Sequence, residues 1–424
     1  MPKPHAMPFC TFHYFARSAF ATLLRIAIIL YVCGMQNVTK FSLLFSFLCI
    51  SLFAQAQPKN STPVIDTLPF NTSSQLLVFT VTINGLPVSV AFDTGATLGV
   101  ANSSTKSTAQ LKTLRSTMPV NDANAKRVAL KKVRIKSLAV GSHKFTKLTS
   151  VLHDMTFLRC NSLYLLGMDV IGKLNWSFDF DKKLVYVSNA PFEAAPGAVL
   201  LQPTYKNKRP FVALNVNGIA YPSCLIDMGF TNTCDVPSKP AIDSVFVAQL
   251  PPSTQGTYLL STNGLFGRGR ADTVKVLVAD SFIVGERNFP KMPVSIESAP
   301  TVTKIGLKFF TNYCQQLILN HSTNQYHLQP RAVALPLALP PQVGVDFVSG
   351  KLVIVGKSLT HFADSTLVLG QEIASIDGKK ASDFADVCAF TLWWQGNVRQ
   401  PTHQIVKTDG ATVLVRRFAL ATQP

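Results

Sequence analysis

Apolar and polar residues begin to alternate at Leu76, and the alternation is broken by turn residues throughout the chain. Residues 77–83 predict a strand, Asn84-Gly85 a two-residue hairpin turn, and residues 88–92 a return strand that ends at Asp93. Further on, Leu165-Leu166-Gly167-Met168-Asp169 predicts a tight glycine leading into a short helix. Residues 176–180 and 184–187 predict a hairpin turned at Asp181-Lys182-Lys183. The same succession then recurs. Residues 211–216 predict a strand, Asn217-Gly218 a turn, and the return strand ends at Asp227. Ile305-Gly306 repeats the late glycine, and residues 316–319 and 325–328 repeat the closing hairpin. The turn glycine precedes its Asp by eight residues in the first copy and nine in the second, and the two Asp residues are 134 apart. A repeat of this kind predicts two lobes of like fold about a pseudo-twofold axis.

A Pro-rich stretch at 331–341 predicts a linker to a third, smaller unit at 342–420, with strands at 350–355, 369–379 and 412–417. The expected fold class is therefore mainly β. The expected organisation is a leader at 1–56, a polar tether at 57–75, a first lobe at 76–192, a second at 198–330, the linker and the third unit.

The N-terminus reads as a targeting segment. Met35 and Lys40 precede an apolar stretch at 41–53 and the Ala54-Gln55-Ala56 cleavage signature. The stretch is shorter than the ~20 residues that span a bilayer. A signal peptide at 35–56, with 1–34 an over-extended start, predicts a secreted or periplasmic chain without a stable membrane span after cleavage.

Net charge is +18, falling to +14 once the four basic residues of the leader are set aside. Such charge raises nucleic acid as a partner. The densest basic stretch, Lys132-Val133-Arg134-Ile135-Lys136, alternates charge with apolar residues, which is the mark of a half-buried strand with a wet basic face. It carries no aromatic residues for base stacking, so nucleic acid is not expected.

Cys160, Cys224, Cys234, Cys314 and Cys388 remain after the leader, without zinc spacing. Cys224 and Cys234 flank Asp227 and form the candidate disulfide; buried, unpaired thiols are the equal alternative. The six histidines outside the leader lack metal-ligand spacing, so neither metal nor other cofactor is expected. Ser358, His361 and Asp364 fall three apart on an expected short helix, where side chains on one face seldom form a relay, so they are expected to be polar residues facing solvent. Trp393-Trp394 reads as packing.

Two carboxylates delivered by buried strands suit water activation. Facing each other, they hold one proton between them. Apolar flanks (Ala91-Phe92 and Leu225-Ile226) raise the apparent pKa values of the pair. Gly95 and Gly229 let the backbone turn close to each carboxylate. The Gly-rich run holding Gly264, Gly267 and Gly269 precedes a strand at 273–278, which excludes a phosphate cradle and leaves a hairpin flap or an ordinary surface hairpin.

Phe92-Asp93-Thr94-Gly95-Ala96, Leu165-Leu166-Gly167-Met168-Asp169 and the weaker Asp227-Met228-Gly229 make residues 76–330 resemble a two-lobed, single-chain member of the retropepsin/pepsin-like aspartic proteases that Gram-negative bacteria secrete. Residues 342–419 resemble a PDZ domain. The resemblance makes Gly344-Val345-Asp346-Phe347 the carboxylate-binding loop and 369–379 the Gly-Asp-Glu-Ile…Asn-Gly-Lys strand. It implies a monomeric aspartic endopeptidase with Asp93 and Asp227 catalytic, a protein or peptide substrate, and a C-terminal peptide ligand at the third unit. It also implies that Thr94 links across the pseudo-dimer axis through its hydroxyl. Met228 lacks a hydroxyl, so the reciprocal half of that link cannot form. The rival reading is an inactive two-lobed binding protein, favoured by Met228 and opposed by the intact Asp93-Thr94-Gly95.

Overall fold

In the computed structural model, residues 63–122, 124–238, 255–260, 263–297, 302–335, 341–360, 366–398 and 400–416 are described. The leader, its signal, His361 and Asp364 lie outside these residues.

Two seven-strand runs repeat the same spatial order. The first is Val78–Ile83, Leu86–Phe92, Tyr164–Leu166, Val100–Ala101, His143–Leu152, Arg127–Val140 and Lys112–Asn121. The second is Arg209–Val216, Ile219–Asp227, Lys304–Gly306, Cys234–Pro237, Met292–Glu297, Asp272–Ala279 and Gln255–Leu260. Directions repeat as well. In each run the second and third strands are parallel, as are the fourth and fifth, and every other neighbour is antiparallel. Short helices, Met168–Ile171 and Leu307–Tyr313, follow Gly167 and Gly306.

A six-stranded sheet joins the two runs. Asn175–Asp179 pairs antiparallel with Cys314–Asn320 at its centre, each flanked by its closing-hairpin partner, Leu184–Ser188 or Gln325–Pro330. Its edge strand Ile65–Pro69 pairs with Leu184–Ser188, so part of the expected tether is sheet: backbone pairing orders it and Leu68 packs against the core. Phe92 ends its strand fully buried between Trp176 and Phe178, with ring centroids 4.9 and 5.0 Å away and edges turned to faces. Each such pair contributes about 0.5–1.5 kcal/mol beyond burial. Trp176 is held in turn by Nε1 donating 2.8 Å to the Ile171 carbonyl. The residue before Asp93 is thus clamped to the sheet beneath it.

Arg127–Val140 is the expected half-buried strand, with Val133 and Ile135 buried and Arg134 and Lys136 exposed.

The C-terminal segment has its own core around Val345, Leu352, Ile354, Ile373, Phe390 and Val415. Three expectations are corrected here. Gly344-Val345-Asp346-Phe347 is not a loop: it lies in the strand Val343–Val348, because buried Val343 and Val345 pair it with Lys351–Ser358, and the chain turns at Ser349-Gly350, both at positive φ. Ser358 ends that second strand, fully buried, and is not helical. The disulfide is Cys160–Cys388, with Cα atoms 5.0 Å apart, while Cys224, Cys234 and Cys314 are buried free thiols. It ties the short helix Thr156–Cys160 to the helix Val387–Asn397, which tertiary packing alone brings together. Lys351–Ser358 also pairs with Gln255–Leu260 through Tyr258 and Leu259, joining the C-terminal sheet to the second run. Trp393 and Trp394 pack partly buried against the C-terminal core. Of the Pro-rich linker, Arg331 and Leu335 donate backbone hydrogen bonds to Tyr313 and Asn312.

Candidate active site

Asp93 and Asp227 come from the ends of equivalent strands and meet. Each carboxyl group lies against the glycine of the opposite turn, and the charge of Asp227 acts on Asp93. Asp93 Oδ1 accepts from the amides of Gly95 (2.7 Å) and Ala96 (3.0 Å); Asp227 Oδ1 accepts from Gly229 (3.1 Å).

The two glycines serve close approach. Neither has a positive φ. Instead, a Cβ on Gly95 would lie 2.6 Å from Cγ of Asp227, and one on Gly229 would overlap the Asp93 carboxylate. Each glycine makes room for the opposite acid, so the two Asp-x-Gly turns are mutually dependent.

Thr94 is fully buried between them. Its hydroxyl donates to the Ile226 carbonyl at 2.6 Å and accepts from the Met228 amide at 2.9 Å. The Met228 side chain is itself fully buried in the core. One threonine therefore makes two bonds across the axis, and the methionine takes part through its backbone.

Electrostatics separate the two acids. Burial pushes Asp93 up to about 8, with the charge of Asp227 adding to the shift. Burial also raises Asp227, but nearby Lys304 and the Gly229 amide oppose it. Sequence reasoning missed Lys304 and its neighbour Asp235. The signal was present: Lys304 stands two residues before Gly306, where the first copy has Leu165 before Gly167.

The Gly-rich hairpin has a different setting from a free flap. Asn263–Gly264 pairs with Gly267–Arg268. Leu265 and Phe266 pack against a buried cluster that includes Val78, Val100, Leu130 and Val151 of the first run, and the Phe266 ring lies 5.2 Å from that of His153. The Phe266 amide donates to Asp122 Oδ2 at 3.3 Å, and Asn124 Nδ2 donates to the Gly267 carbonyl at 3.4 Å. Gly264 and Gly269 lie against Asp122 and Asn124, so the tips of the two long hairpins meet. Arg268 forms an ion pair with Asp346 in the C-terminal strand. Gly344, Val345 and Phe347 lie in that same strand, away from the carboxylate pair in the hydrogen-bond pattern.

Among the described residues no cluster of His, Cys, Asp and Glu could hold a metal ion, and no helix is long and apolar enough to cross a membrane. No curated protein matches the chain. A family model described as aspartyl protease matches residues 79–170, which hold the first hairpin, Asp93-Thr94-Gly95 and Gly167. Over these residues the chain carries an aspartic protease-like domain.

Proposed function

We propose that the protein is a two-lobed aspartic endopeptidase with a C-terminal PDZ-like module. The observation that carries this reading is the reciprocal packing of Gly95 on Asp227 and Gly229 on Asp93. It leaves two facing carboxyl groups that cannot both ionise and so share a proton. A water between them loses a proton to the ionised acid and attacks the scissile carbonyl. The protonated acid donates to the carbonyl oxygen, and the tetrahedral intermediate then collapses with loss of the amine. Thr94 supports the dyad by holding both turns in one hydrogen-bonded unit.

In the C-terminal module, Val343–Val348 has one partner strand among the described residues and contacts the helix Val387–Asn397. An open, shallow cavity lined by Phe347, Ser349, Gly350, Phe384 and Val387 lies at the end of that strand, beside the Ser349-Gly350 turn. An extended peptide tail would add to the other edge of Val343–Val348 as a strand. The reading includes a secreted or periplasmic monomer, with protein or peptide substrates and no nucleic acid.

The test is incubation of the mature chain with an unstructured protein across acidic to mildly alkaline pH, beside Asp93→Asn and Asp227→Asn. Cleavage by the parent and its loss in both variants is the expected result. Cleavage that survives in both variants overturns the assignment of the pair, and its absence in the parent overturns the protease reading and leaves the inactive two-lobed binding protein.

A further inference from the structure

The two repeated runs differ at one buried cross-strand pair beside the carboxylates. In the first run, Val100 faces Leu165. At the equivalent place in the second, Asp235 faces Lys304. An apolar pair has become an ion pair inside the protein. Lys304 Nζ lies 3.5 Å from Asp235 Oδ2, with the side chains 15% and 0% exposed. Burying such a pair costs several kcal/mol per ion in desolvation, and its apolar counterpart in the first run shows that the fold does not need it.

The register says what the lysine faces. Lys304 pairs with Leu225 on the parallel neighbouring strand, and Gly306 pairs with Asp227. Side chains two apart on a strand share a face. Lys304 therefore lies on the Asp227 side of the sheet, diagonally behind the carboxylate. No charge occupies the matching place behind Asp93, where Leu165 stands. The charges that act on Lys304 are those of Asp235, Asp227 and Glu297, and Nζ lies over the Phe230 ring, 4.2 Å from its centroid. Burial works against the ammonium, but the three carboxyl groups outweigh it and keep Lys304 protonated.

We propose that Lys304, held in place by Asp235, is a positioning residue that keeps the negative charge of the pair on Asp227, making Asp227 the base and Asp93 the carrier of the shared proton. This rests on the reading of Asp93 and Asp227 as a catalytic pair. In a symmetric dyad the proton has no preferred side. Here one side carries a buried cation, and in a low-dielectric site that asymmetry is strong. The bound water would then lose its proton toward Asp227, and the substrate carbonyl would be polarised by Asp93.

The test is carboxyl-carbon NMR titration of protein carrying labelled aspartate, with Asp93→Asn and Asp227→Asn for assignment, alongside the pH dependence of kcat/KM. Two variants separate the roles of the pair. The double change Lys304→Leu with Asp235→Val rebuilds the apolar pair of the first run and removes the cation. It should raise the Asp227 titration and the acid limb of kcat/KM by about one pH unit or more. Burial pushes Asp235 itself up to about 7, so Asp235→Asn keeps the shape and the lysine and should leave the Asp227 titration below that pH close to the parent's. An Asp227 titration unmoved in the folded double variant, or raised as much by Asp235→Asn alone, overturns the proposal. If the parent cleaves nothing, the protease reading fails, while the titration still decides where Lys304 places the charge.

Discussion

The amide of Met228 donates a 2.9 Å hydrogen bond to the hydroxyl of Thr94, and both residues are fully buried. The tie across the axis needs a hydroxyl on only one side, because the methionine contributes its backbone. Thr94→Val removes the acceptor for that amide and the donor to the Ile226 carbonyl. An unsatisfied buried polar group costs about 1–3 kcal/mol. Thr94→Val should therefore lose at least that much in urea unfolding, and hydrolysis should fall with it. Met228→Ala should cost about 2–5 kcal/mol through the cavity it opens.

Under the proposed function, Asp93 sets the upper pH limit of hydrolysis. The pair works with one proton, and Asp93 is pushed up to about 8 by burial and by Asp227. The rate should fall as pH rises through about 8, and this macroscopic limit belongs to the pair. A kcat/KM profile that is flat beyond that pH would contradict the proton's place.

Stability should respond in the same window. The folded Asp93 binds its proton more tightly than the unfolded residue does, so the folded state holds more protons between about 4 and about 8. The parent should lose stability as pH rises through that range. Asp93→Asn cannot titrate, so the variant should gain on the parent from low to high pH, measured as the difference in denaturant midpoint.

Cys160–Cys388 spans 228 residues of sequence and ties the first run to the C-terminal segment. By the loop-entropy relation, closing so long a loop is worth about 5 kcal/mol at most. Cys388→Ala should lower Tm and speed proteolytic release of the C-terminal segment. Reduction of the parent should do the same.

The hairpin contact joins Asp122, Phe266 and Arg268 in one chain of interactions. Arg268→Ala removes a partly exposed ion pair worth about 0.2–1 kcal/mol, so global stability should barely change. Phe266→Ala removes the apolar anchor. It should speed limited proteolysis around residues 263–270 far more than Arg268→Ala does.

Strand-ending acids, turn glycines and the twofold repeat were legible because they depend on local rules: alternation, turn chemistry and spacing. Asn84-Gly85 and Asn217-Gly218 turn their hairpins with all four residues at positive φ. The resemblance makes Gly344–Phe347 a loop, whereas its pairing with Lys351–Ser358, a relation between separate segments, makes it a strand. For Cys224 and Cys234 the sequence leaves a bridge and buried free thiols equally open; the structure has the free thiols, and its bridge joins Cys160 and Cys388, which only packing brings within reach.

Sequence alone determined that two buried strands would each deliver an Asp-x-Gly turn, because strand period and turn chemistry act over a few residues. Only the tertiary structure decided that each glycine makes room for the other acid, that the Met228 backbone replaces a missing hydroxyl, and that Lys304 stands behind one carboxylate. Those relations join residues from opposite halves of the repeat or from non-consecutive strands, and they exist only once the sheets are assembled.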